Sequence, residues 1–467
     1  MFQRKLNPLA PQVLLLASHL LLATAFAAEP HWRAGVAIAD ITPTQPQWMA
    51  GYGGRTKPAE GTQHPLFIKV LALEDAGGQR AIVMSSDLLG VPQSIYNNTC
   101  AALKQRFGLD RAAIMLHASH SHCTPVLRGA LDDAYPITDE HKAAIHAYSD
   151  QLEMRIVETV GKAFANLAAA RLAAGQGVTR FAVNRRNNPE AQVPRLIEEN
   201  ALKGPVDHSV PVLAVTRTNG ALAAVVFGYA CHNTTLSFYN WCGDYAGFAQ
   251  LALERSHPGA KALFFSGCGA DQNPLPRREV FHAERYGQML AGAVEEVLLQ
   301  PMKPLPPKLA MAHELATLNL GDAPTLDELE KLTIGKPATN TRWAARLLAD
   351  LKAGRKLERT YPYPVQAWSL GGQLWVTLGG EVVVDYALRF KREFGADTWV
   401  AGYCNDVMAY IPSARVLAED KPPRAPGRSG YEGNTSMYVY GLPAHRWGDD
   451  VEDLIAAAAQ RVVKQVK

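Results

Sequence analysis

The sequence has little that would indicate a nucleic-acid-binding protein, a thiolate metal cluster or an integral membrane protein. Its 47 basic and 44 acidic residues nearly cancel, so it lacks the charge that binds nucleic acid or an anionic membrane. None of its six cysteines belongs to a Cys-x-x-Cys pair, which argues against a cluster of thiolate ligands. After residue 27 no apolar run approaches the length of a membrane-spanning helix, and no internal repeat is found. The composition is that of a globular protein with a hydrophobic core.

The first 27 residues have the layout of a secretory signal peptide. Two basic residues precede a mostly apolar run at 13–25, and Ala25-Phe26-Ala27 places small residues at the cleavage positions. An uncleaved membrane anchor is the alternative, although His19 interrupts the run. Removing the peptide takes away two basic residues and no acidic residue, which leaves 45 and 44. We predict a secreted or periplasmic mature chain, residues 28–467, that begins near Ala28 and has no transmembrane segment.

The cysteines leave two structural possibilities open. In an oxidising compartment they could form one or two disulfides, whose pairing cannot be deduced from the sequence. Alternatively, they are free and buried, as small apolar residues often are. They are Cys100, Cys123, Cys231, Cys242, Cys268 and Cys404.

Short apolar runs alternate with stretches in which apolar residues recur at helical spacing. Strands are predicted near residues 80–85, 113–116, 212–215, 223–227, 262–265, 367–370, 374–377 and 398–401. Helices are predicted at about 94–107, 139–170, 277–298, 325–356 with a break at 335–337, from 382, and at the end of the chain. Asn219-Gly220 and Gly371-Gly372 predict hairpins, residues 301–307 a connector, and residues 417–433 a surface loop near a site. The mixture of hairpins and crossovers predicts an α/β fold, a mixed sheet with helices packed on it in a single large domain.

The most informative segment runs from His117 through His120-Ser121-His122 to Pro125. A buried strand leads directly into a His-x-His step and then into a proline. Side chains two residues apart on a strand share a face, so His120 and His122 can face one metal ion, or one can face the metal and the other a substrate. Two polar loop histidines are the alternative if this segment is taken alone.

Four further predicted strands also end in polar side chains. One leads to His232, a second to the glycine-led turn at 269–274, a third to Glu381, and a fourth to Asp406 and then Tyr410. Glycine at such a turn allows the backbone to approach a ligand closely. Open α/β sheets place their functional sites at strand ends, so we expect these side chains to meet.

The expected ligand set consists of two imidazoles, a carboxylate and one further oxygen. This set suits zinc and leaves room for a water molecule. Zinc would lower the pKa of that water from about 16 toward 7, which supplies hydroxide at neutral pH. At this point the fourth ligand is open, because the carboxylate of Asp406 is a more usual ligand than the phenol of Tyr410.

These motifs follow one another in a definite order along the chain. They are His120-Ser121-His122 with Pro125, Asn184-Arg185, Val206-Asp207, Cys231-His232-Asn233-Thr234, the turn 269–274, Gly380-Glu381, Tyr410 and Tyr431-Glu432-Gly433. That order resembles the neutral ceramidase family, over nearly the whole mature chain from Trp32 to about Leu442. The resemblance implies one zinc ion per chain and hydrolysis of the amide of an N-acylated sphingoid base, a lipid-like substrate.

The resemblance also implies roles for individual residues. His120, His232, Glu381 and Tyr410 are similar to the family's zinc ligands, with the tyrosine rather than Asp406 in the fourth position.

The other implied roles belong to residues that contact the substrate. His122 is similar to a histidine that faces substrate and would assist proton transfer. Arg185 resembles an arginine that lines the site, and Tyr431 a tyrosine that stabilises the oxyanion. Gln272 stands where the family has a serine that has been assigned as a nucleophile or a substrate contact. We expect Gln272 to donate a hydrogen bond to substrate.

The chain departs from the family at two points that concern the substrate. An amide side chain such as that of Gln272 is not a nucleophile at neutral pH, so no covalent acyl-enzyme is expected. The family also has a C-terminal immunoglobulin-like domain, which we do not expect in this chain. We therefore expect a zinc-dependent, ceramidase-like amidohydrolase in which zinc-bound water attacks the acyl carbon. One alternative is a zinc hydrolase of the same fold that acts on an ester, lactone or sugar-linked substrate. The other is a non-catalytic zinc- or carbohydrate-binding descendant.

Overall fold

A computed structural model describes Met1 and residues 31–334, 338–420 and 430–467. Apart from Met1, the predicted signal peptide and the start of the mature chain near Ala28 lie outside these ranges and remain predictions. The predicted helix break at 335–337 and residues 421–429 of the predicted surface loop also lie outside them. Residues His31–Lys467 form one compact unit. None of the helices in the described ranges is both long and apolar enough to cross a membrane.

The strands and helices are numbered here along the chain. The strands are β1 (Trp32–Asp40), β2 (Gly61–Thr62), β3 (Phe67–Glu74), β4 (Arg80–Ser86), β5 (Ile114–Ala118), β6 (Ala168–Val178), β7 (Ala182–Asn184), β8 (Ser209–Arg217), β9 (Leu222–Tyr229), β10 (Asn240–Trp241), β11 (Lys261–Ser266), β12 (Gln272–Pro274), β13 (Lys303–Leu305), β14 (Leu309–Asn319), β15 (Thr360–Leu370), β16 (Gln373–Leu378), β17 (Glu381–Val382), β18 (Trp399–Ala401) and β19 (Tyr410–Ile411). The α-helices are α1 (Gln93–Phe107), α2 (Asp139–Ala165), α3 (Val193–Glu198), α4 (Asp244–Ser256), α5 (Val280–Leu298), α6 (Leu326–Leu332), α7 (Thr339–Lys352), α8 (Val384–Phe394), α9 (Ala414–Glu419), α10 (Ser436–Val439) and α11 (Val451–Val466). Short 3₁₀ helices lie at Arg111–Ala113 and Glu190–Gln192, and a π-helical turn lies at Tyr431–Thr435.

The main sheet has nine strands and is mixed, as the sequence predicts. Its order is β11-β9-β8-β6-β1-β3-β4-β5, with β13 paired to β6. The pairs β11–β9 and β4–β5 are parallel, and the remaining pairs are antiparallel. Helices α2, α4 and α5 pack on it. The predicted fold class, α/β with helices on a mixed sheet, is confirmed.

The main sheet curls, and this curvature determines where its strands end. Strand β11, at one edge, packs against β4 and β5 at the other edge. The hydroxyl of Ser85 on β4 donates to the carbonyl oxygen of Phe264 on β11 at 2.6 Å. In a flat sheet, β9 and β5 would be six strand spacings apart, or about 29 Å. The curl therefore brings together strand ends that the strand order alone would separate.

A second sheet lies beside these strand ends. It contains β14, β15, β16 and β18, with α11 packed on β14 and β15 and α8 on β18. Single β-bridges join His117 to Cys404 and Gly267 to Ala401, so the exits of β5, β11 and β18 lie side by side. In the hairpin between β15 and β16, Gly371 and Gly372 have φ of 55° and 90°. A two-residue turn with both φ values positive favours glycine at both positions, as the sequence indicates.

Some predicted elements differ from the structure. The helix predicted to reach residue 170 ends at Ala165, and β6 begins at Ala168. Residues 168–174 are alanine-rich, but pairing with β1 and β8 outweighs their helical preference. The predicted connector at 301–307 contains β13, an edge strand. All six cysteines are free and buried. Of the two possibilities that the sequence left open, disulfides or free cysteines, the structure therefore has free cysteines.

Candidate metal centre

His120 is held by backbone just beyond β5, in an unusual conformation. Its φ is 60°, a left-handed conformation that is uncommon for a residue with a side chain and that often occurs at functional sites. Its Nδ1 lies 2.6 Å from the carbonyl oxygen of Leu89. A carbonyl oxygen only accepts, so Nδ1 carries a proton and Nε2 is the ring nitrogen that can bind a metal ion.

Backbone groups also hold His232, which lies just beyond β9. Its backbone N–H donates to the carbonyl oxygen of Gln272 at 2.9 Å, and its Nδ1 lies 3.1 Å from the carbonyl oxygen of Gly269. Its Nε2 is therefore also the ring nitrogen that can bind a metal ion. Burial lowers the pKa of His232 to about 4, which keeps the ring neutral near pH 7. The ring centroids of His120 and His232 are only 4.8 Å apart.

Glu381 places one carboxylate oxygen between these two imidazoles. Its Oε2 lies 3.1 Å from Nε2 of His120 and 3.2 Å from Nε2 of His232. This buried Oε2 receives no hydrogen bond from the described residues.

Tyr410 joins the group because β17 pairs in parallel with β19, which sets Glu381 beside Tyr410. Its hydroxyl lies 3.2 Å from Nε2 of His232. Asp406, the more usual ligand type, instead accepts a hydrogen bond from the hydroxyl of Tyr361 at 2.7 Å. Of these two candidates for the fourth ligand, the fold therefore brings Tyr410 to the histidines.

His122 lies at the edge of the same group. Its Nε2 is 3.2 Å from Nε2 of His120, and its ring packs against Tyr52 with centroids 4.6 Å apart. A β-carbon on Gly51 would lie 2.3 Å from this ring, and Gly51 has a φ of 97°, so glycine is needed there. Burial and the neighbouring His120 hold the pKa of His122 well below its usual value. Together, His120, His122 and His232 form a buried group that could hold a metal ion.

The arrangement of donor atoms fits a cation. Lone pairs on two imidazole nitrogens face a carboxylate oxygen at 3.1 and 3.2 Å, which is repulsive unless a positive charge lies among them. Donor atoms around a tetrahedral zinc ion, at bond lengths of 2.0–2.1 Å, are about 3.3 Å apart. The buried, unpartnered Oε2 of Glu381 is the atom that such an ion would satisfy.

Arg185 and Tyr431 lie next to Tyr410. One guanidinium nitrogen of Arg185 donates to the hydroxyl of Tyr410 at 3.3 Å, and its Nε donates to Glu432 at 2.8 Å. The rings of Tyr431 and Tyr410 have centroids 5.1 Å apart. Burial raises the pKa of Tyr431, so its hydroxyl stays protonated and can donate a hydrogen bond.

Gln272 does not face the group, and the expected substrate contact needs correction. Its side chain is fully buried and donates to the carbonyl oxygens of Ala230 and Cys268 at 2.8 and 3.3 Å. Its Oε1 accepts from the backbone N–H of Asp207 at 3.3 Å. Both amide hydrogens are used within the protein, so none remains for substrate. Gln272 instead stabilises the turn whose carbonyl oxygens hold His232.

Tyr440 was not predicted from the sequence. Its hydroxyl donates a short hydrogen bond to Oε1 of Glu381, which leaves Oε2 facing the two histidines. It follows the four-residue helix α10, and no motif singles it out from the neighbouring Tyr438. The contact depends on how α10 packs, which is a tertiary feature.

Replacing Tyr440 with phenylalanine is expected to weaken metal binding about 10- to 100-fold, because a partner that orients a ligand typically contributes this much. Competition with a chromogenic zinc chelator measures the change. Tyr438→Phe is the matched control, since Tyr438 lies two residues away on α10 and packs against Trp343. Equal zinc affinities of the Tyr440 variant and the unmodified protein would contradict the orienting role.

Comparison with known proteins identifies the family. The sequence profile described as "Neutral/alkaline non-lysosomal ceramidase, N-terminal" matches residues 32–283. The chain belongs to this ceramidase family. Within this ceramidase-family chain, the matched residues include His120, His122, His232 and Arg185. Glu381, Tyr410 and Tyr431 lie beyond the matched range. No curated protein sequence matches significantly.

Solved ceramidase structures share the fold. The neutral ceramidase from Pseudomonas aeruginosa has a TM-score of 0.69 at 19% identity, over 94% of this chain and 74% of that one. A ceramidase complexed with C2 has a TM-score of 0.68 at 18% identity, over 94% of this chain and 76% of that one. The family resemblance predicted from the sequence is confirmed, and the shared family and fold support a hydrolase.

Proposed function

We propose that the protein is a zinc-dependent hydrolase that cleaves an N-acyl amide bond with water as the nucleophile. The observation that carries the proposal is the convergence of His120 Nε2, His232 Nε2 and Glu381 Oε2 at 3.1–3.2 Å, with Nδ1 of each histidine directed to a backbone carbonyl oxygen. The bond type is proposed from the family, since the related structure from Pseudomonas aeruginosa is a neutral ceramidase. The exported location is proposed from residues 1–27 alone.

The proposed ligands are His120, His232, Glu381 and Tyr410, with His122 turned toward substrate. Oε2 of Glu381 lies 3.1 Å from Nε2 of His120 and 3.2 Å from Nε2 of His232. Nε2 of His122 lies 3.2 Å from Nε2 of His120. Zinc in this position would acidify a water molecule and polarise an acyl oxygen.

The chain's own side chains supply the remaining steps. His122 is neutral and can accept a proton from the attacking water and later deliver it to the leaving nitrogen. The hydroxyl of Tyr431 can donate to the acyl oxygen as negative charge develops on it. Arg185 donates to Tyr410 and orients it, and its pairing with Glu432 keeps the guanidinium in place.

Removal and return of the metal test this function. Purified protein loaded with zinc should release fatty acid from N-acyl amides, and dialysis against a chelator should lower the rate by at least about 100-fold. Adding zinc back should restore the rate, while circular dichroism shows that the chelated protein stays folded. In oxygen-18 water the released acid should carry one labelled oxygen. Unchanged amide hydrolysis after the metal is removed would overturn the proposal, as would hydrolysis confined to esters.

A further inference from the structure

A polar pocket lies directly beside the proposed metal site. Its volume is about 340 Å³, and two of its lining residues, Arg185 and Tyr431, also contact Tyr410. Ligand pockets usually have mostly apolar walls with a few polar groups. Here Leu275 and the ring of Tyr431 are the apolar side chains among the described lining residues, and most of the others are charged or carry an amide.

The composition of this wall does not suit a long acyl chain. An acyl chain binds by transferring methylene groups from water to an apolar surface. Arg186, Asp420 and Glu432 instead form a buried ionic network in the wall, with contacts of 2.8 Å between Arg186 and Asp420 and 2.5 Å between Arg186 and Glu432. A hydrocarbon chain placed against these charged groups would gain little free energy of transfer from water.

The acceptor atoms of this wall are already used, but donors remain. Both carboxylate oxygens of Glu432 accept from arginines, and both oxygens of Glu190 accept from Arg277 or Arg278. Arg277 bonds to Glu190 through Nε and Nη2, whereas its Nη1 donates to no group in the described part of the chain. Its side chain is 14% exposed, so its spare N–H groups lie in a partly desolvated position. Three arginines balance three carboxylates in the lining, but the carboxylate oxygens already accept hydrogen bonds, whereas Nη1 of Arg277 is free to donate within the described residues. A ligand with acceptor oxygens, such as a carboxylate, therefore complements the pocket.

We infer that the substrate is a compact N-acyl compound with a carboxylate, of the N-acyl amino acid class, and that Arg277 recognises the carboxylate. This inference rests on the proposed function and narrows its substrate class. The oxygen of water bonds to the acyl carbon, the carbon–nitrogen bond breaks, and the nitrogen leaves with a proton as the free amino acid.

Three compounds test the inference with the zinc-loaded full chain: N-octanoyl-alanine, its carboxamide N-octanoyl-alaninamide, and a ceramide with a long acyl chain. The carboxylate compound should have a kcat/KM about 10- to 100-fold above that of the carboxamide, since a charged hydrogen bond contributes on this scale. Its kcat/KM should also exceed that of the ceramide. Arg277→Gln should reduce the preference for carboxylate over carboxamide to within a few-fold, and Arg277→Lys should retain part of it. Arg195→Gln is the control, because Arg195 is exposed on α3 and pairs with Glu199 outside the pocket.

Calorimetric binding of the carboxylate and carboxamide compounds separates this inference from the proposed function. If neither compound is hydrolysed, but the carboxylate compound binds at least about 10-fold tighter and loses this advantage in Arg277→Gln, the hydrolase proposal fails and the pocket assignment holds. Equal binding and equal kcat/KM of the two compounds would overturn the pocket assignment while leaving the hydrolase intact. Preference for the ceramide, or an unchanged carboxylate preference in Arg277→Gln, would overturn it as well.

Discussion

His232→Ala is expected to lose most of its bound zinc and to lower kcat by about 1000-fold or more, because the variant lacks one of the two imidazoles that face Glu381. The same result is expected for His120→Ala. In the unmodified protein Glu381 Oε2 lies 3.1–3.2 Å from both rings, so removing either ring opens one side of the site. Elemental analysis gives the zinc content per chain, and release of fatty acid from an N-acyl amide gives kcat.

The matched control for these variants is His146→Ala. His146 is an exposed histidine on α2, and it should keep its zinc and its activity when replaced. Thermal unfolding of all three variants separates loss of metal from loss of fold. Full zinc occupancy in either His120→Ala or His232→Ala would refute the proposed ligand set.

Tyr431→Phe should reduce kcat by about 100- to 1000-fold while zinc content stays unchanged, the scale found when one oxyanion donor is removed. The phenylalanine ring can keep the packing against Tyr410 and Arg185, so the change removes little more than the hydroxyl. Because the hydroxyl is expected to act mainly in the transition state, KM should change much less than kcat.

Steady-state kinetics with one N-acyl amide measure this effect, and Tyr438→Phe again serves as the control. Tyr438 lies on α10, seven residues further along, and packs against Trp343. A Tyr431→Phe variant with kcat within two-fold of the unmodified protein, while the control behaves normally, would remove Tyr431 from the proposed chemistry.

The sequence allowed much of the site to be predicted because the relevant side chains follow buried strands. The runs before His120 and His232 are strongly apolar, and both form strands in the main sheet. Tyr410 is preferred to Asp406 only through the family resemblance, and its pairing with Glu381 is a tertiary contact. The strand before Glu381, however, is again a buried and largely apolar run. Patterns of this kind are local, so a single sequence contains them.

Gln272 shows where such reasoning stops. Its place where the family has a serine predicted a substrate contact, yet its amide hydrogens bond to Ala230 and Cys268 inside the protein. The direction of a side chain depends on the backbone groups that surround it, and those come from strands distant in sequence. Tyr440 was missed for the same reason, since its partner Glu381 lies 59 positions earlier.

The strand-end positions of the histidines and the glutamate, the hairpins at Asn219-Gly220 and Gly371-Gly372, and the family could all be predicted from the sequence. Each of these follows from local periodicity, turn chemistry or the order of motifs. The meeting of His120 and His232 could not be predicted in this way, because their strands are six spacings apart in the sheet order, about 29 Å if the sheet were flat. The curl of the sheet brings their ring centroids to 4.8 Å. The curl places β11 against β4 and β5, which are distant from it in sequence, so it is a non-local property of the folded chain.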